Sequence, residues 1–365
     1  MRRTIYWSAQ HGTVIPTDTW LGLAEHRVSP GVREMSCREA LHCSFEVASD
    51  NLQRTAQLSI SGRTLREIVE DQGRSVLAAQ RSGSLPPAFT AADCTDQTLI
   101  TGADGVMAPM VTEAQKQKRR ETESAKRIEQ GRPSTAAVGR PKAGSDGPYK
   151  EIKLVSFYDP DQSHCHVVAT AGDCEAAGVL MRREARRLAL TTAKTKYAVS
   201  DGAEWIANQY RRQLPMLDEH ILDYYHLREH VIEAGHVLYG EGTRKAEQWR
   251  EEMMGCVWEQ GSLVLLDRLG SYLRVHRSGV KHEALGSLRN YLRDRVAMTD
   301  YPRFRQLGYD CGSGPTESLC GRLTNRLKGP GMRWDKSNAE AMMALASLYH
   351  SGQWGIYWKS ERMAA

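Results

Sequence analysis

The sequence lacks any apolar run near the roughly 18 residues of a membrane-spanning helix, and its mean hydropathy is −0.52, so no membrane span is expected. The opening MRRTIYWSAQ is basic but has no apolar stretch behind it, so a secretory signal is not expected either. The eight cysteines form no C-x-x-C pair and no framework spacing, which argues against a disulfide scaffold and for reduced thiols in a cytoplasm. General disorder is excluded by a composition of 41% hydrophobic and 25% charged residues. The 365 residues suffice for two or three domains and a sizeable core.

Charge of one sign is scarce overall, with 49 Lys+Arg against 44 Asp+Glu giving +5. That excess has one address. Between Glu113 and Lys150 lie ten basic residues (Lys116, Lys118, Arg119, Arg120, Lys126, Arg127, Arg132, Arg140, Lys142 and Lys150) against five acids, so this stretch carries all of it. Such clustering points to a polyanionic partner.

The chain divides into four zones. Residues 1–97 are predicted helical, with one helix around Phe45, Ala48 and Leu52 and a second carrying Leu65, Ile68 and Val69 after a break at Leu58–Gly62. This order suggests a helix-turn-helix that binds DNA ends. Arg63, Arg66 and Arg74 are balanced by Glu67, Glu70 and Asp71, however, so a packed αα-hairpin stays open. Residues 98–208 are strand-rich, with strands predicted at Gln97–Val106, Glu151–Tyr158, His166–Thr170 and Tyr197–Ser200 and a helix over Glu175–Ala193. The basic segment falls between the first two strands and is predicted to be a loop (113–150), mobile around Gly131-Arg-Pro-Ser and Gly139-Arg-Pro-Lys-Ala-Gly. Residues 209–306 lose the strand signal and read as an all-α insertion, and 307–365 open with a Gly312-Ser-Gly-Pro turn and continue helically. The expected class is α/β with a helical insertion.

Three acids stand out by placement: Asp104 in the first strand, Asp201 at the end of another, and Glu317 at the start of a late helix. They are 97 and 116 residues apart, so only a fold can unite them. Each has a purely structural alternative. Asp104-Gly105 fits a type I′ hairpin turn, Asp201-Gly-Ala-Glu204 fits a capping box, and Gly314-Pro-Thr-Glu317 fits a helix start with Pro first and a carboxylate in the first turn.

Longer strings carry a resemblance. They are Ser29-Pro-Gly-Val-Arg-Glu-Met, Ser44-Phe-Glu-Val-Ala, Ala103-Asp-Gly, Val199-Ser-Asp-Gly-Ala-Glu-Trp-Ile, Leu222-Asp-Tyr-Tyr-His-Leu-Arg-Glu-His, Gly312-Ser-Gly-Pro-Thr-Glu-Ser and Arg326-Leu-Lys-Gly-Pro-Gly-Met-Arg-Trp. Together they resemble the DDE transposases of bacterial insertion sequences, the ISKra group in particular and Mutator-type enzymes more loosely, through most of the chain. The resemblance implies a ribonuclease H-like mixed-sheet core interrupted by an all-α insertion. It implies Asp104, Asp201 and Glu317 as catalytic triad and as ligands of two Mg²⁺ ions, with Mn²⁺ as a substitute. Two such ions serve in-line displacement at a phosphodiester by stabilising the attacking and leaving oxygens. The implied partners are double-stranded DNA, as terminal repeats and target, and further copies of the chain on paired ends. The implied location is the bacterial cytoplasm, at the nucleoid. Relatives often carry a cysteine pair, half a zinc ribbon, around Tyr6–Asp18; it is missing here, and no zinc is expected.

Asp223, His226 and His230 share one helical face and could ligate zinc, but no fourth ligand and no H-E-x-x-H accompany them. The resemblance implies instead that Asp223 and His226 support the triad. A buried hydrogen-bonded pair is the third possibility. Trp249 and Trp258 could stack on a displaced base, although their spacing among Met253, Met254 and Val257 fits a helical core better. DNA contacts are expected from Lys116, Lys118, Arg119 and Arg120, and from the basic loop Arg326, Lys328, Arg333 and Trp334.

Overall fold

The computed structural model describes residues 4–10, 12–20, 23, 28–134 and 147–364, and they form a mixed α/β fold. A short antiparallel hairpin of β1 (Tyr6–Ser8) and β2 (Gly12–Val14) leads to α1 (Pro16–Trp20), α2 (Pro30–Ala40), α3 (Phe45–Ala56) and α4 (Gly62–Ser82). Ser44 and Ser61 start α3 and α4, each hydroxyl accepting an amide hydrogen bond from the third residue on.

Five strands then build the central sheet: β3 (Thr98–Pro109), β4 (Tyr149–Tyr158), β5 (Cys165–Thr170), β6 (Thr195–Ser200) and β7 (Glu219–Leu222). Their spatial order is β5-β4-β3-β6-β7. β3, β4 and β5 form an antiparallel meander, whereas β6 and β7 run parallel to β3 and to each other. Side chains alternate across the sheet, as period-two strands require. Leu99, Ala103, Val155, Phe157 and Ala198 pack under α6 (Cys174–Arg187) and α7 (Glu204–Gln213) on one face.

The other face is shared. Ile100, Tyr197, Val199 and Ile221 pack against α8 (Tyr224–Tyr239), α9 (Arg244–Gln260), α10 (Ser262–Val275), α11 (Val280–Arg293) and α12 (Tyr301–Gln306). Ile152, Leu154 and Val167 pack against α13 (Gly314–Thr324), α14 (Lys336–His350) and α15 (Trp354–Ala364). Leu65, Val69 and Val76 of α4 belong to that same core. Gln80 donates to the Ala344 carbonyl at 3.3 Å, and Gln72 to the Tyr357 hydroxyl at 2.6 Å. The N-terminal helices therefore share a core with the last three rather than forming a unit of their own.

Other expectations also change. The all-α insertion does not begin at 209: α7 continues to Gln213, β7 joins the sheet, and the uninterrupted helices start at Tyr224. The predicted basic loop opens as a helix, α5 (Glu113–Glu129), because Thr112 and Gln115 form a reciprocal capping box. Arg140 and Lys142, and most of the predicted mobile stretch, lie outside the described residues. α3 and α4 have the predicted order and turn, but the α4 arginines are paired along the helix: Arg63 with Glu67, Arg66 with Glu70, Arg74 with Asp71. Among the described residues, no helix is long and apolar enough to cross a membrane.

Candidate active site

Asp104, Asp201 and Glu317 line one cleft of about 320 Å³, together with Ala103, Tyr225, His226, Glu229, Ser313 and Thr316. Asp104 is not in a turn: it sits within β3 opposite Leu154 of β4, and its Oδ1 accepts from the Gly105 amide at 2.6 Å. Asp201 follows the last residue of β6 and its Oδ1 accepts from the Ala203 amide at 2.8 Å, but α7 starts with Ala203 at the cap. Glu317 is the fourth residue of α13, with Pro315 second rather than first. α13 crosses β3 so closely that a Cβ on Gly102 would lie 1.8 Å from Thr316 Oγ1. The missing side chain lets the Glu317 helix lie over the Asp104 strand.

Burial pushes the Asp104 carboxyl up, and the like charges of Asp201 and Glu317 push the same way against hydrogen bonds from Cys320 and Gly105. Burial and the nearby Asp104 carboxylate push the Cys320 thiol up in turn. Among the described residues no Lys or Arg forms an ion pair with any of the three acids. A buried carboxylate beside like charges, as at Asp104, favours a proton or a metal ion. The donors of the three acids are all hard oxygens, which suits Mg²⁺.

Asp223 does not reach into the cleft. It is 1% exposed; its Oδ1 caps α8 by accepting from the amides of Tyr225 (2.6 Å) and His226 (3.1 Å). Its Oδ2 accepts from the Ser313 amide at 2.6 Å and from the Ser313 hydroxyl. That hydroxyl is also 2.8 Å from Glu317 Oε1, so one proton serves two carboxylates. Asp223 thus ties the first insertion helix to the start of the Glu317 helix, and its carboxylate is unavailable for a zinc site with His226 and His230. His226 does line the cleft, with Nδ1 3.6 Å from Glu229 Oε2 and its ring edge-on to His230 at 5.1 Å. Glu229 and Ser313 were not singled out by sequence. Glu229 could have been found three residues after His226 on the same helical face.

The insertion also holds Asp201. Tyr291 donates to the Asp201 carbonyl at 3.1 Å, and Arg295 donates through Nε (3.0 Å) and Nη2 (2.8 Å) to the Gly202 carbonyl. Gly202 has φ +75°, a conformation glycine adopts without strain, and it turns the chain out of β6.

The predicted DNA contacts separate into two groups. Lys118, Arg119 and Arg333 line a groove of about 740 Å³ with Lys126, while Arg120 and Lys328 are exposed but do not line it. Lys116 is engaged by Glu113 at 2.7 Å and Asp335 at 3.0 Å. Arg326 and Trp334 belong to the core. The guanidinium lies 4.8 Å from the Phe45 ring and 5.2 Å from Trp334, donating to the Ala40 carbonyl at 2.8 Å. Trp334 donates to the Leu327 carbonyl at 3.2 Å because the chain folds back there to bridge Met110. Trp249 is likewise core, while half-buried Trp258 lines a cavity of about 810 Å³ with Tyr224, Tyr225, Arg228 and Arg250. Tyr225 borders both this cavity and the acidic cleft. Among known proteins, no family model and no curated protein matches this chain.

Proposed function

We propose that this protein is a DDE-type DNA transposase, cutting phosphodiester bonds at the ends of a mobile element and transferring the freed strand into target DNA. The observation that carries the reading is the convergence of Asp104, Asp201 and Glu317, from segments 97 and 116 residues apart, in one cleft. The β5-β4-β3-β6-β7 order, antiparallel for three strands and then parallel, supports a ribonuclease H-like core. The helices inserted between the second and third acids fit the same scheme.

Asp104, Asp201 and Glu317 would hold two Mg²⁺ ions, which when bound supply positive charge to the attacking and leaving oxygens. The protein side of the work is orientation. Asp223 and Ser313 hold the start of α13 and so aim Glu317, while Tyr291 and Arg295 fix the turn that carries Asp201. His226 stands at the cleft wall, where its ring would hydrogen-bond the scissile phosphate. Lys118, Arg119, Lys126 and Arg333 would hold the DNA backbone, and the Trp258 cavity would take a base displaced near the cut. Strand transfer repeats the displacement with a 3′-hydroxyl in place of water, so no covalent enzyme intermediate is needed.

The test is Mg²⁺-dependent cleavage of the element's terminal repeats. Wild type should cut, and Asp104→Asn, Asp201→Asn and Glu317→Gln should each fall by roughly 10³-fold, in keeping with the several kcal/mol a metal-held oxygen supplies. Equal cutting by the variants would falsify the catalytic assignment. Specific binding by wild type without any cutting would point to a transposase-derived DNA-binding protein instead.

A further inference from the structure

A second cluster of donor side chains, none of which lines the cleft, lies at the N-terminal end of β3. Cys94 is on the loop leading into β3, Asp159 directly follows β4, and His164 directly precedes β5. Each offers one ligand atom, and these atoms all lie within 4.8 Å of one another. We propose that Cys94, Asp159 and His164 bind one Zn²⁺ or a similar borderline divalent metal, with water in the fourth position. The inference is independent of the proposed transposase activity.

Donor chemistry selects the metal class. A thiolate, an imidazole nitrogen and a carboxylate together match Zn²⁺ and its neighbours, whereas Mg²⁺ takes oxygens only. Charge argues the same way. The Asp159 side chain is fully buried, and its one ion-pair partner among the described residues is His164, at 2.8 Å. Asp93 and Asp161 add negative charge from the two flanking loops, and among the described residues no Lys or Arg forms an ion pair with either. The Asp159 carboxylate already accepts from the Ser163 hydroxyl at 2.8 Å and from the Thr95 amide at 3.5 Å, so what an ion would add is positive charge rather than a first partner. The Cys94 thiol proton points to the Thr90 carbonyl, 3.5 Å from the sulfur. Binding forms the metal–sulfur bond and releases that proton to solvent. The imidazole loses its Nδ1 contact with Asp159 to the metal and carries its proton on Nε2. His164 is 33% exposed, which gives an ion a way in.

The backbone around the cluster is already arranged. The Asp159 amide donates to the His164 carbonyl at 3.2 Å, and the His164 amide to Asp159 Oδ1 at 2.9 Å, closing the β4–β5 turn. A bound ion would fasten this turn to the loop carrying Cys94. The same turn carries Gln162, which lines the cavity beside Trp258. The spacing of Cys94, Asp159 and His164 along the chain matches no zinc motif, which is why the sequence alone gives no reason to expect the metal.

The experiment uses the full-length protein stripped by a chelator and titrated with Co²⁺ as a spectroscopic probe, then with Zn²⁺. One equivalent of Co²⁺ should give a thiolate-to-cobalt charge-transfer band that Zn²⁺ displaces. Cys94→Ser should abolish the band and His164→Asn should weaken binding roughly tenfold or more, while Asp104→Asn and Glu317→Gln should leave both unchanged. Zn²⁺ should also raise the melting temperature of wild type. A wild type without the band, a band kept in Cys94→Ser, or a band lost in the cleft variants overturns the site. If Cys94→Ser fails to fold, the wild-type and His164→Asn titrations decide alone.

Discussion

Glu184 has no exposed side-chain surface, yet three groups meet it: His166 Nε2 at 3.0 Å, Arg183 Nε at 2.5 Å and Arg187 Nη1 at 2.9 Å. Burial alone would raise its pKa. The His166 hydrogen bond and the charges of His166, Arg183 and Arg187 outweigh burial and bring it down to about 2 from the ordinary 4.5. A depressed acid stabilises the fold above its unfolded pKa, and that stability drains as pH falls through the folded one. The contribution, of the order of 3 kcal/mol, is therefore complete above about pH 4.5 and lost toward pH 2. Glu184→Gln should lower stability at pH 7 and flatten the stability–pH curve between these values, as read from urea midpoints. A variant that tracks wild type down to pH 2 would remove the cluster from this role. Residues of this kind are poorly legible in sequence. Asp104, Asp201 and Glu317 could be picked out because each lies in, or at the end or start of, a readable element. Arg326 and Trp334 misled because a basic, aromatic string does not say which side of its turn is buried.

The strands of the sheet could be read, because four of them alternate or run apolar over several residues. β7 could not: it has four residues, Glu219-His-Ile-Leu, set among helical patterns, and only its parallel pairing with β6 makes it a strand. α5 was hidden by its charge, since a helix with no buried residue has no apolar stripe to display. As a helix it presents Lys118, Arg119 and Lys126 along one groove wall, while Lys116 is held by Glu113 and Asp335. Lys118→Gln with Arg119→Gln should weaken DNA binding across sequences and reduce the slope of log K against log[salt] by about 0.9 per lost contact. Lys116→Gln should leave that slope nearly unchanged. A double variant with the wild-type slope would mean that α5 does not meet phosphate.

At the scale of the whole molecule, the helical insertion grips both later acids: Tyr291 and Arg295 hold the Asp201–Gly202 turn, and Asp223 holds Ser313 at the head of the Glu317 helix. Arg295→Ala should lower kcat for cleavage by roughly 10- to 100-fold through misplacement of Asp201, with KM for DNA little changed. Parallel losses in kcat, DNA affinity and melting temperature would mean instead that Arg295 only supports the fold. This coupling is invisible in sequence, since Arg295 and Gly202 are 93 residues apart. The joint core of α4 with α14 has a consequence for biosynthesis. A nascent chain that has emerged only through α12 already holds Asp104 and Asp201, but the apolar face of Leu65, Val69 and Val76 still lacks its cover. Synthesis proceeds from the N-terminus at about 5–20 residues per second, so the third acid arrives with the segment that closes this face. Completion of the core and completion of the acidic cleft are thus one late event, and a translating ribosome carries an unfinished site.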